Sequence, residues 1–148
     1  MLVSTRGRYA LRVLLDLAEH QSEGFLPMKT VAQRQGVSLK YMERIMPVLT
    51  KHGLVEAVQG KGGGYRLVVA PEKCRVGDVL RLTEDDLTAV ACLSCGSTSC
   101  DNVPDCRTRP MWQELNQLVN NYFDGITLAD LLANGEHKEE QLNNNLSE

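Results

Sequence analysis

Apolar residues first recur at helical spacing between Arg6 and about His20. Leu11, Leu14, Leu15 and Ala18, with Ala10, Val13 and Leu17 alongside, predict a helix that is largely core, and Thr5 is its expected N-cap. The polar run Gln21-Ser22-Glu23-Gly24 closes it. Pro27 opens a second, short helix through Val31, Ala32 and Gln35 that stops at Gly36. Gly36-Val37-Ser38 then reads as a tight turn, with Gly36 tolerating positive φ and Ser38 capping a third helix, Leu39 to about His52. Met42, Ile45, Met46 and Leu49 form its buried stripe, and Pro47 predicts an irregularity near Glu43 to Met46. Two helices about such a turn make a helix-turn-helix.

The pattern then shortens to strands. Leu54-Val-Glu-Ala-Val58 and Tyr65-Arg-Leu-Val-Val69 flank Gln59-Gly-Lys-Gly-Gly-Gly64, a β-hairpin wing. The Gly-Lys is not a phosphate loop, because Gly62 stands where a Walker motif needs Ser or Thr and no helix follows. Val76 to Leu82 reads as a short helix, and the lone Cys74 before it as a small buried hydrophobe. Glu84-Asp85-Asp86 reads as solvated surface. Trp112, Leu115, Leu118, Val119, Tyr122, Phe123 and Ile126 keep 3–4 spacing over about four turns, an amphipathic helix whose stripe exceeds what a small domain covers. Trp112, Leu115, Val119, Tyr122 and Phe123 are therefore expected at a dimer interface. Thr127 caps a short last helix ending at Asn134-Gly135, and the polar residues beyond are expected to be disordered.

The expected fold is mainly α with a small β-hairpin wing: a winged helix-turn-helix domain plus a long dimerisation helix. Its parts are a DNA-binding domain over 1–80, a cysteine-rich loop over 81–110, the dimerisation and following helices over 111–134, and a tail over 135–148. Charge sharpens this division. The 148 residues carry a net charge of -3, yet residues 1–70 hold ten Lys/Arg against five Asp/Glu, leaving +5 there and -8 beyond. A basic first half suits double-stranded DNA and an acidic second half suits sensing or assembly. Lys40, Tyr41, Glu43 and Arg44 are the base-reading candidates, because the N-terminal residues of the second helix of this motif enter the major groove. An ordinary solvated helix face is the alternative. Lys61 at the wing tip is a candidate phosphate contact, its glycine neighbours allowing close backbone approach.

The chemistry is concentrated in Cys92-Leu-Ser-Cys95-Gly-Ser-Thr-Ser-Cys100-Asp-Asn-Val-Pro-Asp-Cys106, a C-x2-C-x4-C-x5-C loop. The residues between the sulfurs favour irregular backbone free to wrap around a centre. No signal peptide or long apolar segment is recognisable, so a reducing cytoplasm without membrane attachment is expected, and disulfides are disfavoured there. Zinc usually draws ligands from two knuckles far apart, whereas iron–sulfur loops string cysteines through one irregular segment, which favours iron–sulfur. His20, His52 and His137 are distant in sequence. No nucleophile with a local base partner and no paired-carboxylate motif stands out, so an enzyme is not expected.

Ser4-Thr-Arg-Gly-Arg-Tyr-Ala-Leu11, Gln35-Gly-Val-Ser-Leu-Lys-Tyr-Met-Glu43, Gly60-Lys-Gly-Gly-Gly-Tyr65 and clustered cysteines before a Trp-bearing helix together resemble the IscR-like family of dimeric winged-helix regulators. The likeness spans about residues 2 to 134. It implies operator contacts by Arg8, Tyr9, Ser38, Lys40, Tyr41, Glu43 and Arg44, and by Gln59, Lys61 and Gly62 of a wing that enters the minor groove. It also implies an iron–sulfur cluster, 2Fe-2S in preference to 4Fe-4S. Cluster-binding members use C-x5-C-x5-C, with a histidine three residues after the last cysteine in the IscR type. Cys100 and Cys106 match, Ser94 stands at the first position between Cys92 and Cys95, and Arg109 stands at the histidine. The favoured metal ligands are Cys92, Cys95, Cys100 and Cys106; three cysteines with a ligand from the N-terminal region are the alternative. The leading function is a homodimeric transcription regulator responding to iron–sulfur, redox or nitric oxide status. A cluster-free thiol or zinc regulator of the same family is the alternative, and an electron-transfer subunit would leave the basic half and the wing unexplained.

Overall fold

A computed structural model describes residues 3–94 and 100–135. Helix α1, Thr5–Glu19, is capped by Ser4 rather than by Thr5, the Ser4 hydroxyl accepting from the Gly7 amide at 3.3 Å. The choice of cap is made at long range. Glu84 accepts from both the Ser4 amide (3.2 Å) and the Ser4 hydroxyl (2.7 Å), holding Ser4 where its oxygen meets the helix end. Glu84 is thus half-buried rather than solvated surface, while Asp85 and Asp86 of the acidic run are exposed as expected.

Ala10, Val13, Leu14 and Leu17 of α1 are buried and pack on α2 (Met28–Gln35) and α3 (Leu39–Lys51). The same face buries a charge. Asp16 is 2% exposed, and the Arg34 guanidinium grips both of its oxygens, Nε to Oδ2 at 2.9 Å and Nη2 to Oδ1 at 2.5 Å. Gln35 adds a bond to Oδ2 at 2.9 Å. Burial pushes the Asp16 carboxyl up, but the hydrogen bonds from Arg34 and Gln35 and the Arg34 charge outweigh it and hold the group below the usual carboxylate range.

Gly36 ends α2 in the left-handed region at φ 63°, and the Val37 amide reaches back to the Ala32 carbonyl at 2.9 Å, closing the turn. Ser38 caps α3, accepting from the Tyr41 amide at 3.2 Å. The irregularity expected near Glu43 to Met46 is not seen, since α3 runs unbroken across Pro47. Pro47 and Glu43 lie on the exposed face, where water can serve the carbonyl left without an amide.

After Gly53 (φ 71°), β1 (Val55–Val58) pairs antiparallel with β2 (Gly64–Leu67), Val55 opposite Leu67 and Val58 opposite Gly64. The hairpin is anchored from outside. Leu26 and Tyr65 exchange both backbone bonds (2.9 and 2.8 Å), and a Cβ at Gly64 would collide with the Leu26 carbonyl. Arg66 forms an ion pair with its cross-strand neighbour Glu56 and lies 4.7 Å from the centre of the Phe25 ring.

Helix α4 (Val76–Thr83) packs on α1, and the long α5 (Arg109–Asp124) packs on α4. Gly77 permits the close approach, since a Cβ there would strike Asp124. Arg81 of α4 grips Asp124 through both nitrogens (2.7 and 2.8 Å) and reaches Asn120 (3.1 Å). The chain then returns to the first core. The Val76 amide bonds Ile126, the Leu128 amide bonds Cys74 (both 2.9 Å), and Leu128 is fully buried. A last helix, α6, covers 128–135. Thr127 caps it as expected, with Asp130 bonding the Thr127 amide and hydroxyl in return. Cys74 is buried as expected, its thiol pushed up to about 11 by burial first and Asp78 second.

Asp16→Ala is expected to lower folding stability by about 2–3 kcal/mol, less than for a fully enclosed pair because Arg34 still meets water. Because the Asp16 pKa is depressed by folding, its contribution is complete above the ordinary value of about 3.9 and is lost as pH falls through the folded value. Urea unfolding of both proteins at neutral and acid pH checks this: the gap should close at low pH.

Candidate nucleic-acid interface and cysteine pocket

Two helices build one surface at the head. Lys40, Glu43 and Arg44 are exposed on the first turns of α3, while Tyr41 is half-buried and meets Tyr9 of α1 edge to face, centroids 5.5 Å apart at 87°. Arg12, not singled out from sequence, lies 5.3 Å from the centre of the Tyr9 ring and donates to the Gln35 carbonyl (2.5 Å) and side chain (3.1 Å). Its signal was only its place, three residues after Tyr9 on an exposed helix face. Arg8 is exposed beside it and donates to Thr5 at 3.3 Å. Ser38 is spent as the α3 cap, although its hydroxyl proton remains free to donate outward. On the hairpin, Gln59, Lys61 and Gly62 are all exposed at the tip, which Gly60 (φ 97°) and Gly62 (φ 78°) turn.

Two of the loop cysteines share one cavity. Cys92 follows Val90 in a short 3-10 turn, Ala91–Leu93, and Cys106 lies just before α5. Cys92, Leu93, Ser94, Cys100 and Val103 line an open cavity of about 560 Å³ together with Arg109, Gln113, Asn116 and Gln117 of α5. Cys106 does not line it. A hydrogen bond with the Thr108 hydroxyl (3.4 Å) comes first among the causes that lower its thiol pKa, followed by the amides of Thr108 and Arg109 and the Arg109 charge. Cys95 lies outside the described residues. Cys92, Cys100 and Cys106 are free thiols. Among the described residues no three His, Cys, Asp or Glu side chains already converge as a metal site. Soft sulfur donors bordering one roomy cavity nevertheless fit a thiolate-held iron–sulfur group in chemistry and size.

The segment between head and pocket is tied at both ends. Asp86 accepts from the Thr88 amide (2.7 Å), Thr88 and Ser94 share a hydroxyl bond (2.8 Å), and the Ala89 amide donates to Asn116 of α5 (3.0 Å). Helix α5 itself buries no residue completely, and Met111, Leu115, Leu118 and Tyr122 are 40–66% exposed. Trp112 and Val119 are half-buried. Phe123 turns inward, onto Val76, Leu80 and Leu87.

Residues 3–134 match the Rrf2 family, described as "Iron-dependent Transcriptional regulator". The chain belongs to the Rrf2 family. It is 37% identical over 136 residues to the HTH-type transcriptional regulator IscR of Aliivibrio salmonicida, covering 92% of this chain and 80% of that one. A second IscR, from Erwinia tasmaniensis, is equally similar at 37% over 136 residues. Among solved structures, T. potens IscR aligns with a TM-score of 0.75 at 36% identity, over 93% of this chain and 90% of its own. CymR of B. subtilis, titled the global cysteine regulator, aligns at 0.73 and 29% identity, over 90% and 97%. This Rrf2 protein is therefore a DNA-binding transcription regulator and not an enzyme, and its winged helix-turn-helix fold is the one its sequence pattern predicts. No described helix is long and apolar enough to cross a membrane.

Lys61→Ala is expected to weaken binding to all DNA sequences alike and to flatten the salt dependence by about 0.9 in log–log slope for each phosphate that is no longer neutralised. If Arg44 reads a base, Arg44→Ala should instead change operator preference, by about 1–3 kcal/mol at that position. Fluorescence anisotropy against specific and scrambled duplexes at several salt concentrations separates the two.

Proposed function

We propose that this Rrf2 protein is a cytoplasmic homodimeric regulator whose operator affinity answers to an iron–sulfur cluster, 2Fe-2S in type, held by Cys92, Cys100 and Cys106, with Cys95 the further thiolate candidate. The observation that carries the reading is the cavity shared by Cys92 and Cys100, walled by the first turns of α5, with the Cys106 thiol beside the start of that helix. Bound there, the cluster would supply a redox- and iron-dependent cross-link between the loop cysteines.

The chain's own residues carry the rest. Ser94 and Thr88 tie the loop to the segment that ends at Glu84, and Glu84 holds the cap of α1. Helix α1 bears Arg8 and bears Tyr9 against Tyr41 of the reading helix. Asn116 fixes the same segment to α5, and Arg81 fixes α5 to α4. A change in the loop therefore has two covalent and hydrogen-bonded routes to the head. Met111, Leu115, Leu118 and Tyr122 supply the apolar face of the dimer, with Trp112 and Val119 at its flank; Phe123, first expected in this set, serves the α4–α5 contact. The likeness to CymR and the exposed Cys100 favour, as a second reading, a regulator that uses these thiols directly without a cluster.

Anaerobically purified protein is expected to show visible absorption with iron and sulfide bound, and Ser replacement of Cys92, Cys100 or Cys106 to abolish most of both. Colourless wild-type protein without iron would move the assignment to the second reading, and equal operator affinity of loaded and empty protein would sink the sensing role. Leu118→Glu, at a position 61% exposed within one chain, should leave the fold intact and halve the mass seen by light scattering, because a charge would be buried unpaired across the two-fold axis.

A further inference from the structure

We propose that Arg109 is a fixed countercharge for the cysteine pocket, and that Gln113, Asn116 and Gln117 form with it a donor wall through which α5 stabilises an anionic, thiolate-held group without ligating it. The proposal rests on the reading that the pocket holds an iron–sulfur group. Arg109, Gln113, Asn116 and Gln117 are spaced i, i+4, i+7 and i+8, so they share one face of α5, and all four line the cavity that Cys92 and Cys100 also line. A guanidinium has five donors and no free lone pair, so Arg109 cannot enter a metal coordination sphere. It can only face what the thiolates hold.

The surroundings leave that charge available. Among the described residues no carboxylate lines the cavity and Arg109 makes no ion pair. The Asn116 side-chain oxygen is already used by the Ala89 amide, which leaves its amino group as a donor, and the Gln113 and Gln117 amides are exposed. Arg109 also opens α5, adding the positive end of a sixteen-residue helix to the same wall.

The consequence concerns electron affinity. One-electron reduction by an external donor adds one negative charge to the thiolate-held group, with no bond made or broken. Net charge and hydrogen bonds to sulfur are among the factors that set its potential. A fixed positive neighbour favours the reduced form, so removing it must move the midpoint to more negative values.

The test uses full-length protein purified anaerobically as wild type, Arg109→Gln and Arg109→Lys, with iron and sulfide counted per chain and a dye-mediated dithionite titration followed in the visible bands. Arg109→Gln is expected to keep its iron and shift the midpoint negative, and Arg109→Lys to restore part of the shift. Loss of iron from Arg109→Gln with retention in Arg109→Lys would equally support a charge requirement. An unchanged midpoint in Arg109→Gln at equal iron content would overturn the countercharge role alone, as would loss of iron from both variants. Wild-type protein without visible bands would overturn the cluster reading itself, and this proposal with it.

Discussion

A carboxylate that is 2% exposed inside an apolar helix face is unstable unless its charge is matched in place. Asp16 obtains that match from Arg34 and Gln35, both in the last turn of α2, so the end of α2 is held at a fixed height along α1. Everything the head does follows from that anchoring point. Gly36 turns the chain one residue after Gln35, Ser38 starts α3 two residues later, and Gln35 is also the acceptor that holds Arg12 against Tyr9. The placement of α3 is therefore set by a buried polar contact rather than by apolar packing alone, which would tolerate small slides between helices. Directional bonds to one carboxylate do not.

The second half is built on α4 in the same manner, but at the surface. Gly77 lets α5 approach closely, and Arg81 holds Asp124 by a bidentate pair. Exposed as this pair is, its worth lies in geometry more than in energy. It fixes which face of α5 turns toward α4, and so which residues remain outward. The same rotation that carries Phe123 inward leaves Leu118 and Tyr122 uncovered and brings Arg109 and Gln113 to the cysteine cavity. The bonds of Val76 to Ile126 and Cys74 to Leu128 then return the chain to the head's own core.

Where structure depends on near neighbours in sequence, the residues announce it. The turn at Gly36, the cap at Ser38, the cap at Thr127 and the glycine-rich wing tip all stood in the sequence, because each is decided within a few residues. Where a distant partner decides, local pattern misleads or is silent. Thr5 looked like the cap of α1, and Ser4 took the role because Glu84, eighty positions away, holds it. Glu84 was hidden within an acidic run that composition alone assigns to solvent. Nothing local marked the Asp16–Arg34 pair or the pairing of Leu26 with Tyr65. Pro47 warned of an irregularity that its exposed position made unnecessary. In the cysteine loop, spacing pointed to a thiol-held centre, whereas the common cavity of Cys92 and Cys100 and the part of its lining supplied by α5 depend on the packing of α5, which no spacing encodes.

The size of the contacts bears on what a rearrangement of the loop would do to the head under the proposed function. Allosteric couplings of about 1–3 kcal/mol suffice for large changes in binding, and a serine N-cap is worth about 1 kcal/mol by itself. The Ser4 cap is maintained by Glu84, and Glu84 begins the segment that ends at the cysteine cavity. Any rearrangement of residues 84–94 that withdrew the Glu84 carboxylate would loosen the first turn of α1, which carries Arg8 and lies one residue before Tyr9. Counted twice in the proposed dimer, the effect would be about 2 kcal/mol or some thirtyfold in affinity. No large domain movement is required. Under the proposed function the contact is weak enough to be switched by a few bonds and, doubled, would be strong enough to decide whether the head is ordered for DNA.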